Sequence, residues 1–438
     1  MHDSTHYLII TVGTTGDVHP FLPLAHALQE RGRKVTVISN NYHAKLVQDA
    51  NLPFVGIGSD EEYLRIIANP DLWDPKKGFA ALMADYGAQL CQINAAIQSV
   101  SAGQRAVVIA HPFAVPGAAI AREQGLVHSV VAAYLAPGNL KSCHDPLTIG
   151  ASSIPHWVPM GWRRALWRFV EKGWIDPVAV AQINAVRTAS GLPQVQSFLS
   201  HIAQSPDLSI TLFPAWFAPT PPDWPRPLIS GDFPLFESGS QPRLSAELGD
   251  FLTGGESPVV FTPGTGNLHA SYFFACALAA VKDLRCRAIF LTRDRSQVPA
   301  QLPSSVVWQS YAPLITLLPR CAALVHHGGI GTTAEALRAG TPQLVIPFAW
   351  DQFDNGSRVS ALGVGAVIPA QRLSARKLVR RMRALRDAKS IQTQCANVAL
   401  RFTRSHDPMA LCKAIECALF TQNDGNPTAT PLIHTVRD

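Results

Sequence analysis

A pair of histidines and three glycines follow an apolar segment in the second half of the chain, and together they can bind an anion. Residues 322–325 predict a buried strand. His326 and His327 come next, and then Gly328, Gly329 and Gly331. Glycine lets a backbone approach a ligand closely, and the free N–H groups at a helix N-terminus attract negative charge. The pattern predicts an anion site formed by backbone N–H groups and the His327 ring, although an ordinary strand–helix crossover can carry similar glycines.

The helix that would complete this site is predicted from the next residues. Thr332 and Thr333 are its predicted N-caps. Residues 334–339 have helical composition, and Gly340 is a typical C-terminal helix stop. The sequence therefore predicts a strand, a glycine turn and a helix whose N-terminus faces the ligand.

Polar side chains follow the next predicted strand, residues 342–347. Asp351 and Gln352 come shortly after it, and Asn355 is nearby. Ligands of open α/β sheets bind at the carboxyl ends of the strands. A carboxylate and an amide at this place suit a ligand with many hydroxyl groups, although an isolated Asp-Gln pair is also typical of a solvated loop.

These residues resemble a known family. The pattern His326-His-Gly-Gly-x-Gly-Thr-Thr333, with Pro347 and Asp351-Gln352, resembles the donor box of family 1 nucleotide-sugar glycosyltransferases. The resemblance implies the GT-B fold, in which two doubly wound, Rossmann-like α/β domains face each other across a cleft. It also implies an inverting, metal-independent hexosyltransferase. Four further segments resemble the rhamnosyltransferases of rhamnolipid synthesis: 213–219, 223–225, 231–236 and 351–355.

Transfer of a sugar to an alcohol needs a general base, because a protonated hydroxyl is a poor nucleophile. A glycine turn, Gly13-Thr-Thr-Gly-Asp-Val-His-Pro20, follows the first predicted strand. Asp17 stands three residues before Pro20, where plant members of the family have a catalytic histidine, and bacterial members with a Gly-Asp-Val-x-Pro turn are thought to use this aspartate. Asp17 is therefore the predicted base. His19 is the alternative base, and Asp17 is alternatively a cap of the helix that begins near Pro20.

The resemblance implies further contacts to the donor. His327 and the N–H groups of the glycine turn are expected to hold the diphosphate, and Gly264 and Thr265 to add a phosphate contact. Tyr311 matches the position of an aromatic ring that stacks on the base. Asp351 and Gln352 are expected to bind the sugar hydroxyls. Because the sequence has no Asp-x-Asp metal motif, the helix dipole and His327 are expected to stabilise the leaving group without a metal or cofactor.

Glu335 bears on the choice of donor nucleotide. It lies eight residues after His327, and in plant members a glutamate at this spacing accepts hydrogen bonds from the ribose hydroxyls. This favours UDP-glucose, whereas dTDP-rhamnose is the donor that the rhamnolipid resemblance implies. The alternative is that Glu335 pairs with Arg338, three residues further along a helix.

The predicted acceptor side comprises Gly16, His111 and Trp162. His111 ends a predicted strand, and a structural role explains it equally well. Trp162 lies in a stretch rich in tryptophan and arginine, residues 157–174. Such an amphipathic helix either packs on its own domain or forms an acceptor wall that contacts a lipid interface. The predicted acceptor is a small hydrophobic molecule with a hydroxyl group, such as a 3-hydroxy fatty acid, with a sterol or polyketide as the alternative.

The length of 438 residues predicts two or three domains. Eight prolines between residues 206 and 234 indicate a stiff linker. The predicted units are an acceptor domain over 1–212, a linker over 213–240, a donor domain over 241–405, and a C-terminal helix with a frayed tail over 406–438. By resemblance, that helix crosses back onto the first domain.

The composition limits the classes of protein to which this chain can belong. The chain is 47% hydrophobic and 16% charged, with a formal charge of +6, so it predicts a globular protein rather than a disordered or nucleic-acid-binding one. Its eight cysteines have no metal or redox spacing, and no apolar run approaches the ~20 residues of a membrane span. We expect a cytoplasmic protein without a signal peptide, in peripheral contact with the inner membrane surface. The basic cluster over residues 376–383 is either a solvated helix face or a segment that favours anionic lipid surfaces.

Two other functions share some of these features. An NAD-dependent dehydrogenase also has glycine turns after strands, but neither half shows the G-x-G-x-x-G pattern in place. A non-catalytic binding subunit would not need Asp17 beside a complete donor box. The sequence therefore favours the glycosyltransferase.

Overall fold

Two parallel β-sheets form the two halves of the chain. The computed structural model describes residues 5–101, 104–145, 147–149, 152–155, 157–235, 243–403 and 407–420. The strands of the first sheet are β1 His6–Ile10, β2 Lys34–Asn40, β3 Phe54–Ile57, β4 Ala106–Ala110, β5 Ser129–Tyr134, β8 Leu208–Thr211 and β9 Leu228–Ser230. Those of the second sheet are β10 Val259–Thr262, β11 Ala288–Leu291, β12 Val306–Gln309, β13 Ala323–His326, β14 Gln343–Val345 and β15 Gly365–Val367. A short antiparallel hairpin, β6 Leu147–Ile149 and β7 Ser152–Ile154, falls between β5 and β8 in the chain.

Helices connect these strands. In the first half they are α1 Thr15–Val18, α2 Phe21–Glu30, α3 Ala44–Asp49, α4 Asp60–Ala68, α5 Gly78–Leu82, α6 Tyr86–Ser101, α7 Val115–Glu123, α8 Met160–Val170, α9 Asp176–Ala189 and α10 Phe198–Gln204. In the second half they are α11 Ala246–Thr253, α12 Ser271–Leu284, α13 Leu314–Leu317, α14 Ile330–Ala339, α15 Gln352–Ala361, α16 Ala375–Asp387, α17 Lys389–Ala399 and α18 Pro408–Phe420. Along the described ranges, no helix is both long and apolar enough to cross a membrane.

The central strands are apolar along their whole length. Strands β1 and β4 are buried at every position, as is typical of parallel sheets covered on both faces. Every pairing within the two large sheets is parallel. The α/β architecture predicted from the apolar segments is confirmed.

The strand order fixes where a ligand can bind in each half. The first sheet has the order β3-β2-β1-β4-β5-β8-β9, and the second has β12-β11-β10-β13-β14-β15. The order therefore reverses between β1 and β4, and again between β10 and β13. Crevices open beside the carboxyl ends of the strands at such reversal points. Asp17 follows β1 and His111 follows β4, while Gly264 follows β10 and His327 follows β13, so all four predicted site residues lie at the two crevices.

Two details differ from the sequence analysis. Helix α14 begins at Ile330 with Gly329 as its N-cap, so Thr332 and Thr333 lie in its first turn and do not cap it. The cause is local: Gly328 has a φ of +93°, which turns the chain into the helix earlier than the threonines suggest. The first sheet also extends beyond 212, because β9 in the proline-rich segment pairs with β8.

The last described helix packs on the first half of the chain. Glu416 of α18 pairs with Arg31 and Arg33 at the end of α2, and the Cys412 thiol lies 3.8 Å from the carbonyl oxygen of Leu24. The chain therefore returns to its first sheet after completing the second.

Candidate active site

The Asp17 carboxylate is held by the turn that follows β1. Its Oδ2 accepts hydrogen bonds from the Thr14 backbone N–H at 2.6 Å and from the Thr14 hydroxyl at 3.0 Å. The side chain is 34% exposed, because it faces the cleft between the two halves. Desolvation by the surrounding protein nevertheless raises the pKa of Asp17 to about 6, even though both Thr14 hydrogen bonds oppose the shift. A carboxylate with this pKa is ionised at neutral pH and is a stronger base than an ordinary aspartate.

Gly13 is required by the position of this carboxylate. Its φ is +125°, and a Cβ built on it would overlap Asp17 Oδ2 and lie 2.8 Å from Asp17 Cγ. Any side chain at position 13 would therefore displace the carboxylate. Neither Gly13 nor Thr14 was identified from the sequence, and the only available signal was their place in the same glycine turn.

The two histidines predicted near Asp17 have different surroundings. His111 is buried, and its Nδ1 accepts from the Phe113 N–H at 3.3 Å, which leaves Nε2 facing Asp17 Oδ1 at 3.9 Å. Burial lowers the pKa of His111 to about 3. Desolvation, and then the charge of Arg293, lowers the pKa of His19 to about 4. Both rings are therefore neutral at pH 7, and both are much weaker bases than Asp17.

The two histidines at the end of β13 have different roles. His326 is fully buried, its Nε2 lies 3.0 Å from Gln343 Oε1, and its Nδ1 accepts from the Gly328 N–H at 3.2 Å. This ring shapes the turn. His327 faces the cleft, and among the described residues its buried Nδ1 has no hydrogen-bond partner. Burial lowers the pKa of His327 to about 4, so it contributes a neutral N–H donor.

Two glycines make room for the His327 ring. A Cβ on Gly264 would lie 2.6 Å from His327 Cε1, and a Cβ on Gly329 would overlap His327 Nε2. A Cβ on Gly331 would meet no atom within 4 Å, because this residue is exposed in the first turn of α14. The glycines of the motif thus serve different purposes: two position the imidazole, and the third leaves space beside the helix N-terminus.

The N-terminus of α14 presents free backbone donors to the cleft. No side chain caps it, and the first N–H groups of a helix have no acceptor within the helix. These groups, at Ile330, Gly331 and Thr332, lie beside His327. Together they can hold an anion such as a diphosphate. Thr333 is fully buried, so its side chain does not reach this opening.

Asp351 and Asn355 form a second polar group at the start of α15. Asn355 Nδ2 donates to Asp351 Oδ2 at 2.8 Å and to the Gly328 carbonyl at 2.9 Å, which joins Asp351 to the anion turn. Gln352 Oε1 accepts from the N–H groups of Phe348 and Ala349 at 2.9 and 3.2 Å. The side-chain carbonyl oxygen of Gln352 therefore already accepts two backbone hydrogen bonds. Its side-chain amide nitrogen is the group that remains for a ligand.

Trp350 shapes the approach to Asp351. It has a φ of +61°, a conformation that costs a non-glycine residue of order 1 kcal/mol. A strained residue directly before Asp351 is typical of a functional turn, and sequence patterns gave no signal for it.

The two halves bring Asp17 and Asp351 together. Burial raises the pKa of Asp351 to about 7, and the nearby negative charge of Asp17 is the next largest cause. The halves also touch on both sides of this pair. A Cβ on Gly138 would lie 3.2 Å from the Asp351 Cα, and a Cβ on Gly266 would lie 2.9 Å from the Thr14 methyl group. Two carboxylates of raised pKa therefore face one cleft, which is typical of acid–base sites.

The other predicted residues are exposed at the protein surface or take part in an ion pair. Glu335 Oε2 lies 2.6 Å from an Arg338 guanidinium nitrogen, so the expected alternative pairing is present. Tyr311 is exposed after β12, and Thr265 is exposed in the turn after β10. Gly16 is exposed beside Asp17, and Trp162 lies on the outer surface of α8. Within the part of the chain that the structure describes, no group of His, Cys, Asp or Glu side chains could hold a metal ion.

An interdomain ion pair that sequence patterns did not indicate lies close to this site. Arg358 of α15 is buried and pairs with Asp354 at 2.7 Å on its own helix, and with Asp145 from the first half. Charged residues in a helix predict only a solvated face, so this contact became visible only when both halves were in place.

Comparison with known proteins covers both halves of the chain. Residues 7–136 match the glycosyltransferase family 28 N-terminal domain, and residues 277–416 match the C-terminal domain of erythromycin biosynthesis protein CIII-like proteins. An O-mycaminosyltylonolide 6-deoxyallosyltransferase of Streptomyces fradiae is 27% identical over 94% of this chain and 95% of its own length. A sterol 3-beta-glucosyltransferase of Arabidopsis thaliana is 27% identical over 84% of this chain, which spans 61% of that protein.

Solved structures share the fold. The glycotransferase of kitacinnamycin superposes with a TM-score of 0.71 at 19% identity, over 96% of this chain and all of its own. The glycosyltransferase VinC in complex with dTDP gives a TM-score of 0.66 at 19% identity, over 94% of this chain and 99% of its own.

Proposed function

Because the chain is a glycosyltransferase of the GT-B fold, similar to families 1 and 28, we propose that it transfers a hexose from a nucleoside diphosphate sugar to a hydroxyl group of a hydrophobic acceptor, with inversion at the sugar carbon. The observation that carries this proposal is the approach of the two halves at Gly138 and Asp351 and at Thr14 and Gly266, which brings Asp17 and Asp351 to one cleft beside the free N-terminus of α14. One wall offers a base, and the other offers contacts for a sugar and a diphosphate.

Asp17 is the general base in this mechanism. It takes the proton from the acceptor hydroxyl as the oxygen attacks the sugar carbon. His19 is less suited, because its pKa of about 4 makes it a weaker base than Asp17 with a pKa of about 6. His111 Nε2 lies 3.9 Å from the other carboxylate oxygen, and its pKa of about 3 makes it a weaker base still.

The leaving diphosphate is stabilised on the opposite wall. Negative charge develops on it as the bond to the sugar breaks, and the first N–H groups of α14 point at that position. The His327 ring adds a neutral N–H donor. Fixed donors aimed at developing charge are usually the largest contribution to such reactions.

Asp351 positions the sugar. Asn355 holds its Oδ2, which leaves Oδ1 directed to a donor hydroxyl, and the Gln352 amide nitrogen is the second contact. Since Asp351 has a pKa of about 7, it is present in both protonation states near neutral pH and can accept or donate a hydrogen bond.

UDP-glucose is the donor that we favour. Glu335 lies on the second turn of α14, where a carboxylate can accept from a ribose 2′-hydroxyl that a deoxyribose lacks. The test is the ratio of kcat/KM for UDP-glucose and dTDP-glucose in the wild type and in Glu335→Leu. A UDP preference that disappears in the variant supports the assignment. A variant that keeps the full preference would assign Glu335 to the Arg338 ion pair alone.

The second donor candidate is dTDP-rhamnose. It rests on the resemblance of four segments, among them residues 213–219 and 351–355, to rhamnosyltransferases of rhamnolipid synthesis. Direct competition between dTDP-rhamnose and UDP-glucose, followed by mass spectrometry of the product, separates the two candidates.

The acceptor is a hydrophobic molecule that carries a hydroxyl group. A 3-hydroxy fatty acid and a polycyclic or macrocyclic alcohol both fit this description. The relatives named above as a sterol glucosyltransferase and a tylonolide glycosyltransferase support the second class. Mass spectrometry of products from a mixed panel of 3-hydroxy fatty acids, sterols and macrolactones tests the proposal, and the absence of any glycoside from all three would refute it.

A further inference from the structure

Helix α8 and the segments at its two ends carry exposed aromatic side chains. Trp157, just before the helix, is 82% exposed, Trp162 is 72%, Phe169 is 64% and Trp174 is 62%. Trp162 and Phe169 are seven residues apart and therefore lie on one face of the helix. Phe169 and Trp174 touch edge to face, with ring centroids 5.9 Å apart. These four side chains are called the aromatic ridge below.

The opposite face of α8 is firmly attached to the protein. The buried Arg163 donates to the carbonyl oxygens of Cys143, Pro155 and Val158, each at 3.0 Å. Trp167 Nε1 donates to the Ser142 carbonyl at 2.8 Å. The helix cannot rotate to bury the aromatic ridge without breaking these bonds, so its outward display is fixed by the fold.

Cationic side chains flank the aromatic ridge. Arg164, Arg168 and Lys172 follow one another at intervals of four residues and are all exposed. The acidic residue of this segment, Glu171, is buried and pairs with Lys141 at 2.7 Å. Lys172 contacts the buried Asp176 at 3.4 Å, so Arg164 and Arg168 carry most of the positive charge beside the aromatic rings. None of the exposed side chains of residues 160–175 is a carboxylate.

This surface is connected to the cleft. The loop over residues 137–145 lies against Asp351 at Gly138. A few residues later the same loop supplies the Ser142 and Cys143 carbonyls that hold α8. The loop over residues 137–145 therefore contacts Asp351 at one end and the buried face of α8 at the other.

We propose that the aromatic ridge and its flanking cations dock the enzyme on the surface of an anionic phospholipid bilayer, next to the acceptor side of the cleft. Tryptophan and phenylalanine on one face, with arginine and lysine beside them, are the composition of helices that lie in a membrane interface. The rings enter the headgroup region, and Arg164 and Arg168 contact lipid phosphates. This inference does not depend on the identity of the donor, and it fails independently of the proposed reaction.

A second basic helix provides the matched control. Helix α16 carries Arg380 and Arg381, both exposed. Its apolar side chains are buried in the hydrophobic core beside the second sheet. It therefore offers charge without exposed aromatic rings. If charge alone attracted the protein to lipid, α16 and α8 would contribute alike.

The test is co-sedimentation with vesicles of phosphatidylcholine that contain phosphatidylglycerol, and with vesicles of phosphatidylcholine alone. We expect binding to the anionic vesicles, accompanied by a blue shift of tryptophan fluorescence. Arg164→Glu/Arg168→Glu is expected to weaken this binding by at least about tenfold, and Phe169→Ser/Trp174→Ser to weaken it similarly and to reduce the blue shift. Arg380→Glu/Arg381→Glu is expected to leave binding within about threefold of wild type.

Equal effects of the α8 and α16 charge reversals would overturn the proposal, as would the absence of binding to anionic vesicles. Light scattering after size exclusion gives a third outcome. If the wild type is a dimer and Phe169→Ser/Trp174→Ser is a monomer, the ridge is an interface between copies of this chain and the membrane proposal is wrong. Nucleoside diphosphate affinity and melting temperature, measured for every variant, verify that each has folded.

Discussion

Replacement of Asp17 by asparagine separates catalysis from stability in one variant. Asparagine has the same shape, and its carbonyl oxygen can still accept from the Thr14 N–H and hydroxyl, which hold Oδ2 in the wild type. It cannot take a proton from the acceptor. We expect turnover to fall by about 10²–10⁴-fold, the usual contribution of a general base, while the affinity for the nucleoside diphosphate on the opposite wall stays unchanged.

The same change is expected to stabilise the fold at alkaline pH. The protein raises the pKa of Asp17 from 3.8 to about 6, so the folded state holds the proton more tightly than the unfolded state and ionisation opposes folding. A shift of about two pKa units corresponds to at most about 3 kcal/mol. Solvent screening at a side chain that is 34% exposed reduces this to about 1 kcal/mol.

The sign of the effect depends on pH in a defined way. The penalty is fully present above the folded pKa of about 6, and it disappears below the unfolded value, where both states bind the proton. Asp17→Asn is therefore expected to melt at a higher temperature than wild type at about pH 8 and at nearly the same temperature at about pH 3.

Two assays together test whether Asp17 is the general base and whether its ionisation destabilises the fold. Release of the nucleoside diphosphate with and without acceptor measures turnover, and thermal melting across the pH range measures stability. Near-normal turnover in the variant would refute the role of Asp17 and direct attention to His19. A melting temperature that falls equally at both pH values would show that the carboxylate is structural and is not held at a desolvation cost.

The remaining predictions concern the opposite wall and the pH profile. His327→Ala is expected to weaken nucleoside diphosphate binding by roughly tenfold or more, because a hydrogen bond to a charged group contributes about 1.5–3 kcal/mol; calorimetry that finds unchanged affinity in a folded variant contradicts this. Gly331→Ala is expected to weaken nucleoside diphosphate binding without lowering the melting temperature, since its Cβ meets no protein atom within 4 Å. Gly329→Ala is expected to lower both the nucleoside diphosphate affinity and the melting temperature, because its Cβ overlaps the His327 ring. The kcat of the wild type is expected to decline as pH falls through about 6, where Asp17 becomes protonated, and a profile flat down to pH 5 would argue against that base. Asp17→Asn is expected to lower the pKa of Asp351, because the Asp17 charge helps to raise it; an unshifted carboxyl resonance in an NMR titration would refute their proximity.

The strands and the position of the site were predictable because local patterns determine them. Apolar segments bounded by glycine and proline marked the strands, and Asp17, His327 and Asp351 follow strand ends at which ligands gather. The helix start was mispredicted at Thr332 and Thr333. Their side chains suit a cap, yet the local turn at Gly328, whose φ is positive, starts the helix at Ile330. Helix propensities do not show which of the neighbouring glycines makes that turn.

Contacts between distant segments could not be read from the sequence. Gly13 and Gly264 look alike as turn glycines, but one makes room for the Asp17 carboxylate and the other for the His327 ring. The pKa of Asp351 is raised first by burial and then by the charge of Asp17, which is more than three hundred residues away in the chain. The effect of Asp17 on Asp351 arises only when the two separately predictable halves close on each other.

The return of α18 to the first half has a consequence for protein engineering. A chimera that joins the acceptor half of one relative to the donor half of another at the proline-rich segment would carry α18 from the wrong parent. Glu416 would then meet a foreign end of α2 in place of Arg31 and Arg33. Functional exchange of halves therefore needs two crossovers, one near β9 and one before Pro408, so that the last helix travels with the half on which it packs.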